Sequence, residues 1–170
     1  LQTIETFAFV STKIESITIP SKTTDLREGW CCSVTQLTNI YVSKSNPIYC
    51  SLDNQMVIGK SSVESTNYDF LVFCIRNIKQ ITIPNFIKCI CSCAFNESSI
   101  ESITIPKEVT KIKSRAFQKC KQLRHIEFSK DSKLQKIGNS AFEYTSIESI
   151  TIPKEVKTIK NCAFQNCKQL

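Results

Sequence analysis

The sequence predicts an α/β repeat solenoid, in which short β-strands from successive units form a parallel sheet and short helical turns lie opposite them. Two observations support this prediction. The heptapeptide IESITIP occurs three times, at residues 14–20, 100–106 and 147–153. The 24-residue units 100–123 and 147–170 also share 19 identical residues. Such copies indicate stacked units, because a unit of this size cannot bury its own apolar side chains without neighbours.

Each unit begins with a short β-strand. The pentapeptide SITIP alternates polar and apolar residues and is rich in β-branched types, and it ends at a Pro that cannot donate to a sheet ladder. The last apolar residue of each successive strand is Ile19, Val42, Ile83, Ile105, Phe128 or Ile152, with gaps of 23, 41, 22, 23 and 24 residues. This spacing predicts about six repeats of 22–24 residues within a single domain, 1–170.

An Ala-Phe pair follows most of these strands. The pairs are Ala94-Phe95, Ala116-Phe117, Ala141-Phe142 and Ala163-Phe164, and further Ile residues precede them at 112, 137 and 159. Polar residues flank each pair, which predicts one or two helical turns, and a large Phe beside a small Ala favours close packing between layers. In an early unit Trp30-Cys31 stands in this place, which indicates a degenerate repeat with a repacked layer.

The doubled gap between Val42 and Ile83 holds an insertion. Its two apolar runs, QMVIG and DFLVFCI, flank the polar tract KSSVESTNY. Two apolar runs around a polar tract are typical of a β-hairpin with a flexible tip, so a β-hairpin is predicted at about 46–78.

The segment ITIPKEVTKIKSRAFQKCKQL resembles the BspA-like class of leucine-rich repeats in its strand ending at Pro, spaced Ile, Ala-Phe pair and final C-x-x-L. The insertion, from NPIYCSLDNQMVIGK to LVFCIRNIKQITIP, resembles the hairpin unit of the same family. The resemblance covers essentially all 170 residues. It implies a right-handed leucine-rich-repeat coil with the parallel sheet on the concave face and the helical turns on the convex face. The Asn ladder of ordinary leucine-rich repeats is missing, and Cys or Ser-Ile occupies the comparable turn.

The resemblance also implies a use, because such proteins are surface proteins of bacteria and parasitic protists associated with adhesion to host cells and matrix proteins. A cell-surface or extracellular location is expected on that ground alone. The first residues, LQTIETFAFV, do not match a signal peptide, and the chain looks cut at both ends. No apolar run reaches the ~18 residues of a membrane-spanning helix, so this fragment is not expected to span a membrane.

The polar residues of the strands are the candidate partner-binding positions, because residues two apart in a strand share a face. If the Ile residues point into the core, two polar columns lie on the concave sheet. One column is Ser16, Asn39, Gln80, Ser102, His125 and Ser149, and the other is Thr18, Tyr41, Thr82, Thr104, Glu127 and Thr151. Tyr41, His125 and Glu127 stand out from columns that consist mainly of Ser and Thr. The Ser and Thr positions are equally typical of a solvated surface that binds nothing.

The sequence predicts no enzyme, no cofactor and no metal site. His125 shares a strand face with Glu127, but no Ser or Cys nucleophile stands in that column. The ten Cys residues follow the repeat, and the cluster Cys89, Cys91 and Cys93 lacks the paired spacing or His partners of structural zinc. A disulfide framework is also not favoured, because the Cys positions follow the repeat and have no spacing of their own. Asn96-Glu97-Ser98 is a short glycosylation sequon.

The chain carries a net charge of +7, and its Lys residues fall in turns and around the Ala-Phe pairs. A solvated charged rim is the simplest explanation. Nucleic acid is not an expected partner, since the surface columns offer only Tyr41 for stacking. Anionic glycans or acidic proteins fit better, and their binding would weaken with salt.

The pattern as a whole favours a non-catalytic protein-binding or adhesion module whose partner is a host cell-surface or extracellular-matrix protein. The alternative is an intracellular leucine-rich-repeat scaffold or regulatory interaction domain. A signal peptide or membrane anchor elsewhere in the parent gene would favour the first of these.

Overall fold

The computed structural model describes residues 1–170 and consists of short β-strands joined by turns, with no helix. The strands, in chain order, are β1 (Thr3–Ile4), β2 (Ser16–Ile19), β3 (Asp25–Leu26), β4 (Asn39–Val42), β5 (Tyr49–Leu52), β6 (Met56–Gly59), β7 (Phe70–Cys74), β8 (Cys89–Ile90), β9 (Ser102–Ile105), β10 (Lys111–Ile112), β11 (His125–Phe128), β12 (Lys136–Ile137) and β13 (Thr158–Ile159). Strands one coil apart pair in parallel, which makes the chain a β-solenoid. No helix of a kind that could cross a membrane is present.

The front face, defined here by β2, β4, β9 and β11, carries the strands that the SITIP pattern predicts. β2 pairs with β4, and β9 pairs with β11, both in parallel. An isolated parallel bridge extends the second pair from His125 to Ser149. Along these strands Ile19, Ile40, Ile103 and Ile105 are buried while the intervening polar residues face outward.

The prediction of six front strands is wrong for two of them, because segments 80–83 and 150–152 form no regular strand. The first departure follows from the insertion. β4 packs against β5 and β6, so segment 80–83 has no front strand to pair with on that side. Segment 150–152 follows Ser149, which forms only an isolated parallel bridge with His125.

The back face is a second sheet, of seven strands in the order β13-β12-β10-β8-β7-β6-β5. β8, β10, β12 and β13 are two-residue parallel strands that align the recurring Ile residues at 90, 112, 137 and 159. β6 pairs antiparallel with both β5 and β7, and β7 joins the parallel part through β8. The insertion therefore enters the solenoid by extending its back sheet.

The predicted helical turns around the Ala-Phe pairs are wrong, because these segments are tight turns. In the unit of Ala116-Phe117, the residue before Ala, Arg115, has φ 57° and the second residue after Phe, Lys119, has φ 59°. The same two positions have positive φ in the other Ala-Phe units. A left-handed residue every fourth position ends any helix before it completes a second turn. Backbone bonds join successive turns instead, as from Phe117 N to Ala141 O at 2.8 Å.

The Ala-Phe turns build an aromatic column through the core. The rings of Phe95, Phe117, Phe142 and Phe164 stack at centroid distances of 4.8, 5.1 and 5.3 Å with interplanar angles of 6–7°. Near-parallel stacking follows from the repeat, since each Phe occupies the same place one rung further along. The first Ala-Phe turn, Ala8-Phe9, belongs to the same series, because Phe9 N donates to Trp30 O as Phe117 N donates to Ala141 O.

The column is interrupted where the insertion enters. Trp30 occupies the Ala position and Cys31 the Phe position of their turn, so large and small side chains are exchanged, and Trp30 packs against Phe73 at 5.8 Å. The buried side chains accordingly form two clusters, one spanning residues 4–73 and the other 56–163.

Side chains connect the coils across this interruption. Arg76, only 1% exposed, donates to Ala94 O at 2.8 Å, to Cys93 O at 3.0 Å and to Cys31 O at 3.2 Å. Asn96, also 1% exposed, accepts from Ser33 N at 2.7 Å. These bonds satisfy backbone groups that would otherwise be buried without partners. The Asn96 sequon is consequently inaccessible in the folded chain.

A disulfide adds a covalent link across the same interruption. Cys32 and Cys93 are bonded, with a Cα–Cα distance of 5.4 Å and a sequence separation of 61 residues. The sequence argument against disulfides is therefore wrong for this pair, while the other eight cysteines are free. The repeat places each Cys in a coil, but it gives no sign of which coils an insertion brings together.

The C-x-x-L turns carry a polar ladder in the place of an Asn ladder. The Cys120 thiol donates to Phe95 O at 2.9 Å, and the Cys167 thiol donates to Phe142 O at 3.1 Å. Each thiol thus bonds the preceding coil. Burial raises the pKa of Cys120 to about 11, so this thiol remains a protonated donor at neutral pH.

Candidate functional site: a groove on the front face

The front face contains a groove of about 770 Å³. Its floor is formed by outward side chains of three successive coils, and the predicted positions among them are Gln80, Thr82, Ser102, Thr104, His125 and Glu127. The turn between β5 and β6 forms one wall through Asp53 and Gln55. The groove therefore lies beside the insertion, where the regular front sheet is interrupted.

The wall depends on a tight β-hairpin turn. Asp53 and Asn54 both have positive φ, at 52° and 53°, and Gln55 N donates to Leu52 O at 3.0 Å. Two consecutive positive φ values are typical of a type I′ turn, for which Asn and Asp are favoured residues. Met56, which follows the turn, is buried in the core and fixes the position of the wall.

Asp53 and Gln55 are groove residues that the sequence analysis missed. The predicted hairpin tip was the polar tract KSSVESTNY, which connects β6 to β7. The dipeptide Asp53-Asn54 between YCSL and QMVI was the available signal for a second turn.

The structure brings six of the twelve predicted positions together in this groove. Ser149 and Thr151 line a smaller adjoining groove of about 390 Å³ with Asp131 and Lys154. The remaining four, Ser16, Thr18, Asn39 and Tyr41, lie on the separate β2–β4 pair outside the groove. Tyr41 is 50% exposed there and does not line the groove that contains His125.

The charges in the front groove are acidic. Asp53 and Glu127 are its carboxylates, and no Lys or Arg lines it. Neither carboxylate belongs to an ion pair. The other polar groups of the groove are hydroxyls and amides, with His125 between them. This lining can accept hydrogen bonds from a cationic partner and exchange hydrogen bonds with a neutral one.

Neither His125 nor Glu127 is hydrogen-bonded to a hydroxyl or thiol nucleophile in the groove. The cysteines lie elsewhere: Cys31, Cys74 and Cys120 are buried in the core, and burial raises their pKa values to about 11, 12 and 11. No group of three or more His, Cys, Asp or Glu side chains is arranged to hold a metal ion.

A second thiol pair lies on the back face. A hydrogen bond from Cys91 and the charges of Lys113 and Lys111 lower the pKa of Cys89. The bond to Cys89 and burial raise the pKa of Cys91. Cys89 lies in β8 of the back sheet and Cys91 follows that strand, and neither residue lines the front groove.

In a comparison with sequence models of protein families, the model of the BspA-type leucine-rich-repeat region matches residues 1–69 and 48–170 of this chain, with six copies. A leucine-rich cell surface protein from Faecalibacterium prausnitzii superimposes on 100% of the chain with a TM-score of 0.87 and 30% identity, and the chain covers 44% of that protein. The pneumococcal vaccine antigen PcpA gives the same TM-score of 0.87 at 20% identity, with 100% of this chain and 41% of that one covered.

A leucine-rich-repeat protein from Eubacterium ventriosum superimposes with a TM-score of 0.60 at 18% identity, over 97% of this chain and 62% of that one. The two structures below 25% identity are similar in fold alone. The chain spans less than half the length of the first two proteins. A search of curated protein sequences found no match.

Proposed function

Because the chain belongs to the BspA-type leucine-rich-repeat family, we propose that it is a non-catalytic binding module whose front groove receives a protein partner. The observation that carries this proposal is the groove beside the insertion, where a turn and three coils present unpaired polar groups to one space. Repeat solenoids bind partners on extended faces of this kind.

The acidic lining indicates the chemistry of the partner. The chain as a whole has a net charge of +7. The front groove, by contrast, contains the carboxylates of Asp53 and Glu127 and no Lys or Arg side chain. A protein segment offering Lys or Arg together with hydroxyl or amide groups would match these carboxylates and the neighbouring Thr and Ser side chains. Such binding would have a polar rim and would weaken with salt.

A role in adhesion at a cell surface is the finer part of the proposal. One structural relative is described as a cell surface protein and another as a vaccine antigen. We propose by analogy that this chain is exposed outside the cell and engages host or matrix proteins. Anionic glycans are a second proposed partner class, on the ground of the net charge of +7.

An intracellular scaffold remains the second candidate, favoured by one observation. Eight of the ten cysteines are free thiols, as is usual for proteins of a reducing compartment. Surface biotinylation or protease shaving of cells that express the parent protein separates these locations: labelling of this chain on intact cells supports the first candidate, and its protection supports the second.

Thr104→Arg tests the groove, with Thr18→Arg as its matched control. Both residues occupy the same outward column and are exposed, but only Thr104 lines the groove. We expect Thr104→Arg to weaken binding to immobilised matrix proteins by about tenfold or more, since it fills the groove with a cation. Thr18→Arg should leave binding unchanged. Equal losses for the two variants would contradict the groove as the binding surface.

A further inference from the structure

The back face carries a second groove, of about 310 Å³, in which four lysines converge. Lys111 lies in β10 and Lys136 in β12, while Lys113 and Lys160 follow β10 and β13. Glu28 is the only carboxylate in the lining. This back groove is separate from the front groove, with which it shares no residue.

The β-ladder sets the arrangement of the lysines. Lys111 and Lys136 are direct partners in the parallel pairing of β10 and β12, which places them one rung, about 4.8 Å, apart. Lys160 N donates to Ile137 O, and Gly138 N donates to Ile112 O. These bonds place Lys113, Gly138 and Lys160 on three successive rungs of the neighbouring column.

The positive charges of the back groove are largely uncompensated. Lys113 bonds Glu28 at 2.9 Å, but Lys111, Lys136 and Lys160 belong to no ion pair. Like charges on directly paired residues destabilise a sheet. The repeat does not require Lys here, because Cys89 and Thr158 occupy the same column in the flanking strands.

Gly138 lines the back groove where two coils approach each other closely. A Cβ at this position would lie 2.5 Å from the carbonyl carbon of Lys113 and 2.6 Å from Ser114 N, so the backbones approach too closely for any side chain. The equivalent positions in the adjacent coils carry Lys113 and Lys160. Gly138 thus brings the backbone of its coil close to that of Lys113 and Ser114, and it adds no side chain to the column of Lys113 and Lys160.

We propose that the back groove binds a sulfated glycan. Sulfate groups spaced along a sugar chain match a short array of ammonium groups, and Ser114 and Asn139 can hydrogen-bond sugar hydroxyls. The lining contains a single apolar residue, Ile112, and no aromatic residue. It therefore lacks the apolar centre of a protein interface and the stacking surface of a nucleic-acid site. The site rests on the proposed function, in which anionic glycans are a partner class, and gives that class a location.

The test is fluorescence anisotropy with a fluorescein-labelled heparin tetrasaccharide. We expect Lys111→Gln/Lys136→Gln to weaken binding by about tenfold at about 50 mM NaCl, and wild-type binding to fall steeply at higher salt. The matched control is Lys22→Gln/Lys44→Gln, which removes the same charge from exposed turns and should change affinity by less than about twofold. Glu28→Gln should tighten binding, because it removes the carboxylate from the back groove.

The possible outcomes separate the site from the partner class. Equal weakening by the two double variants refutes the back groove but leaves glycan binding standing. Absence of wild-type binding at low salt refutes the glycan proposal itself, and with it the site. Equal competition by the desulfated tetrasaccharide, or stronger competition by a single-stranded oligonucleotide or a poly-Glu peptide, overturns the sulfated glycan. Thermal unfolding of Lys111→Gln/Lys136→Gln should occur at or above the wild-type temperature, so that lost binding is not lost folding.

Discussion

Phe117→Leu tests whether the aromatic column stabilises the solenoid beyond ordinary apolar burial. The Phe117 ring is fully buried between Phe95 and Phe142, at centroid distances of 4.8 and 5.1 Å. Leu keeps an apolar side chain at the same position but cannot stack with either ring. The substitution therefore removes two stacked pairs while leaving most of the burial in place.

The expected loss of stability follows from these contacts. Each stacked pair contributes about 0.5–1.5 kcal/mol beyond its buried area, and imperfect filling of the site adds about 1 kcal/mol. We therefore expect Phe117→Leu to lower the free energy of unfolding by about 2–4 kcal/mol. Phe164 is partly exposed and has one stacked neighbour, at 5.3 Å, so Phe164→Leu should lower it by about 1–2 kcal/mol.

Urea denaturation followed by far-ultraviolet circular dichroism measures both values, with the slope of the transition checked for each variant. Double-mutant cycles add a sharper comparison. The adjacent pair Phe117 and Phe142 should show a coupling energy of about 0.5–1.5 kcal/mol, whereas Phe95 and Phe142, which do not touch, should show almost none. Equal losses at Phe117 and Phe164, or no coupling between the adjacent pair, would refute stacking as a source of stability.

Three further substitutions test the links between coils. Burial raises the pKa of Cys120 from 9.0 to about 11, so its contribution to stability is present below pH 9 and is lost as the pH rises through 11. Relative to Cys120→Ser, the wild type should lose about 2 kcal/mol by pH 11 in urea titrations, and parallel pH profiles would contradict this. Arg76→Lys should destabilise by about 2–4 kcal/mol, because an ammonium group cannot bond three carbonyls in a fixed fork. The exposed control Arg124→Lys should change stability by less than about 1 kcal/mol, and a similar value for both would refute a bridging role for Arg76. Cys32→Ser/Cys93→Ser should lower stability by about 4 kcal/mol, as estimated from the 61-residue separation, and an unfolding midpoint insensitive to reductant would show that the bond contributes nothing.

The front strands could be predicted because their residues carry independent, agreeing signals. In the strand of Ile103 and Ile105, alternation, β-branching and the terminal Pro106 all indicate the same element. The back strands carry no such pattern. β10 is only Lys111–Ile112, and a two-residue strand is too short to show a period. Its pairing depends on the adjacent coils, which is information outside the segment itself.

The error at the Ala-Phe turns has a specific cause. Residues with positive φ are usually Gly, Asn or Asp, so such positions can often be predicted from the sequence. Arg115 and Lys119 adopt it here without any such residue, because bonds to the adjacent turns hold the backbone in place. Helix formers in sequence thus became tight turns through contacts between coils.

The floor of the front groove could be predicted from the sequence, but its wall could not. Outward positions such as Thr104 and Glu127 follow from strand alternation alone. The wall formed by Asp53 and Gln55 depends on where the insertion packs against the coils, which no local pattern specifies.

The bond between Cys32 and Cys93 also decides how the chain would respond to tension. When the two ends are pulled, the bond carries the force directly from one coil to the other and bypasses the residues between them. A fully extended chain spans about 3.3–3.6 Å per residue. The 61 residues closed by the bond therefore cannot contribute their roughly 200 Å to the length of the stretched chain until the bond is cut. Asp53 and Gln55 lie within that shielded stretch, whereas the groove residues from Ser102 to Glu127 lie outside it. Tension would therefore act on the floor of the front groove before it reached the wall.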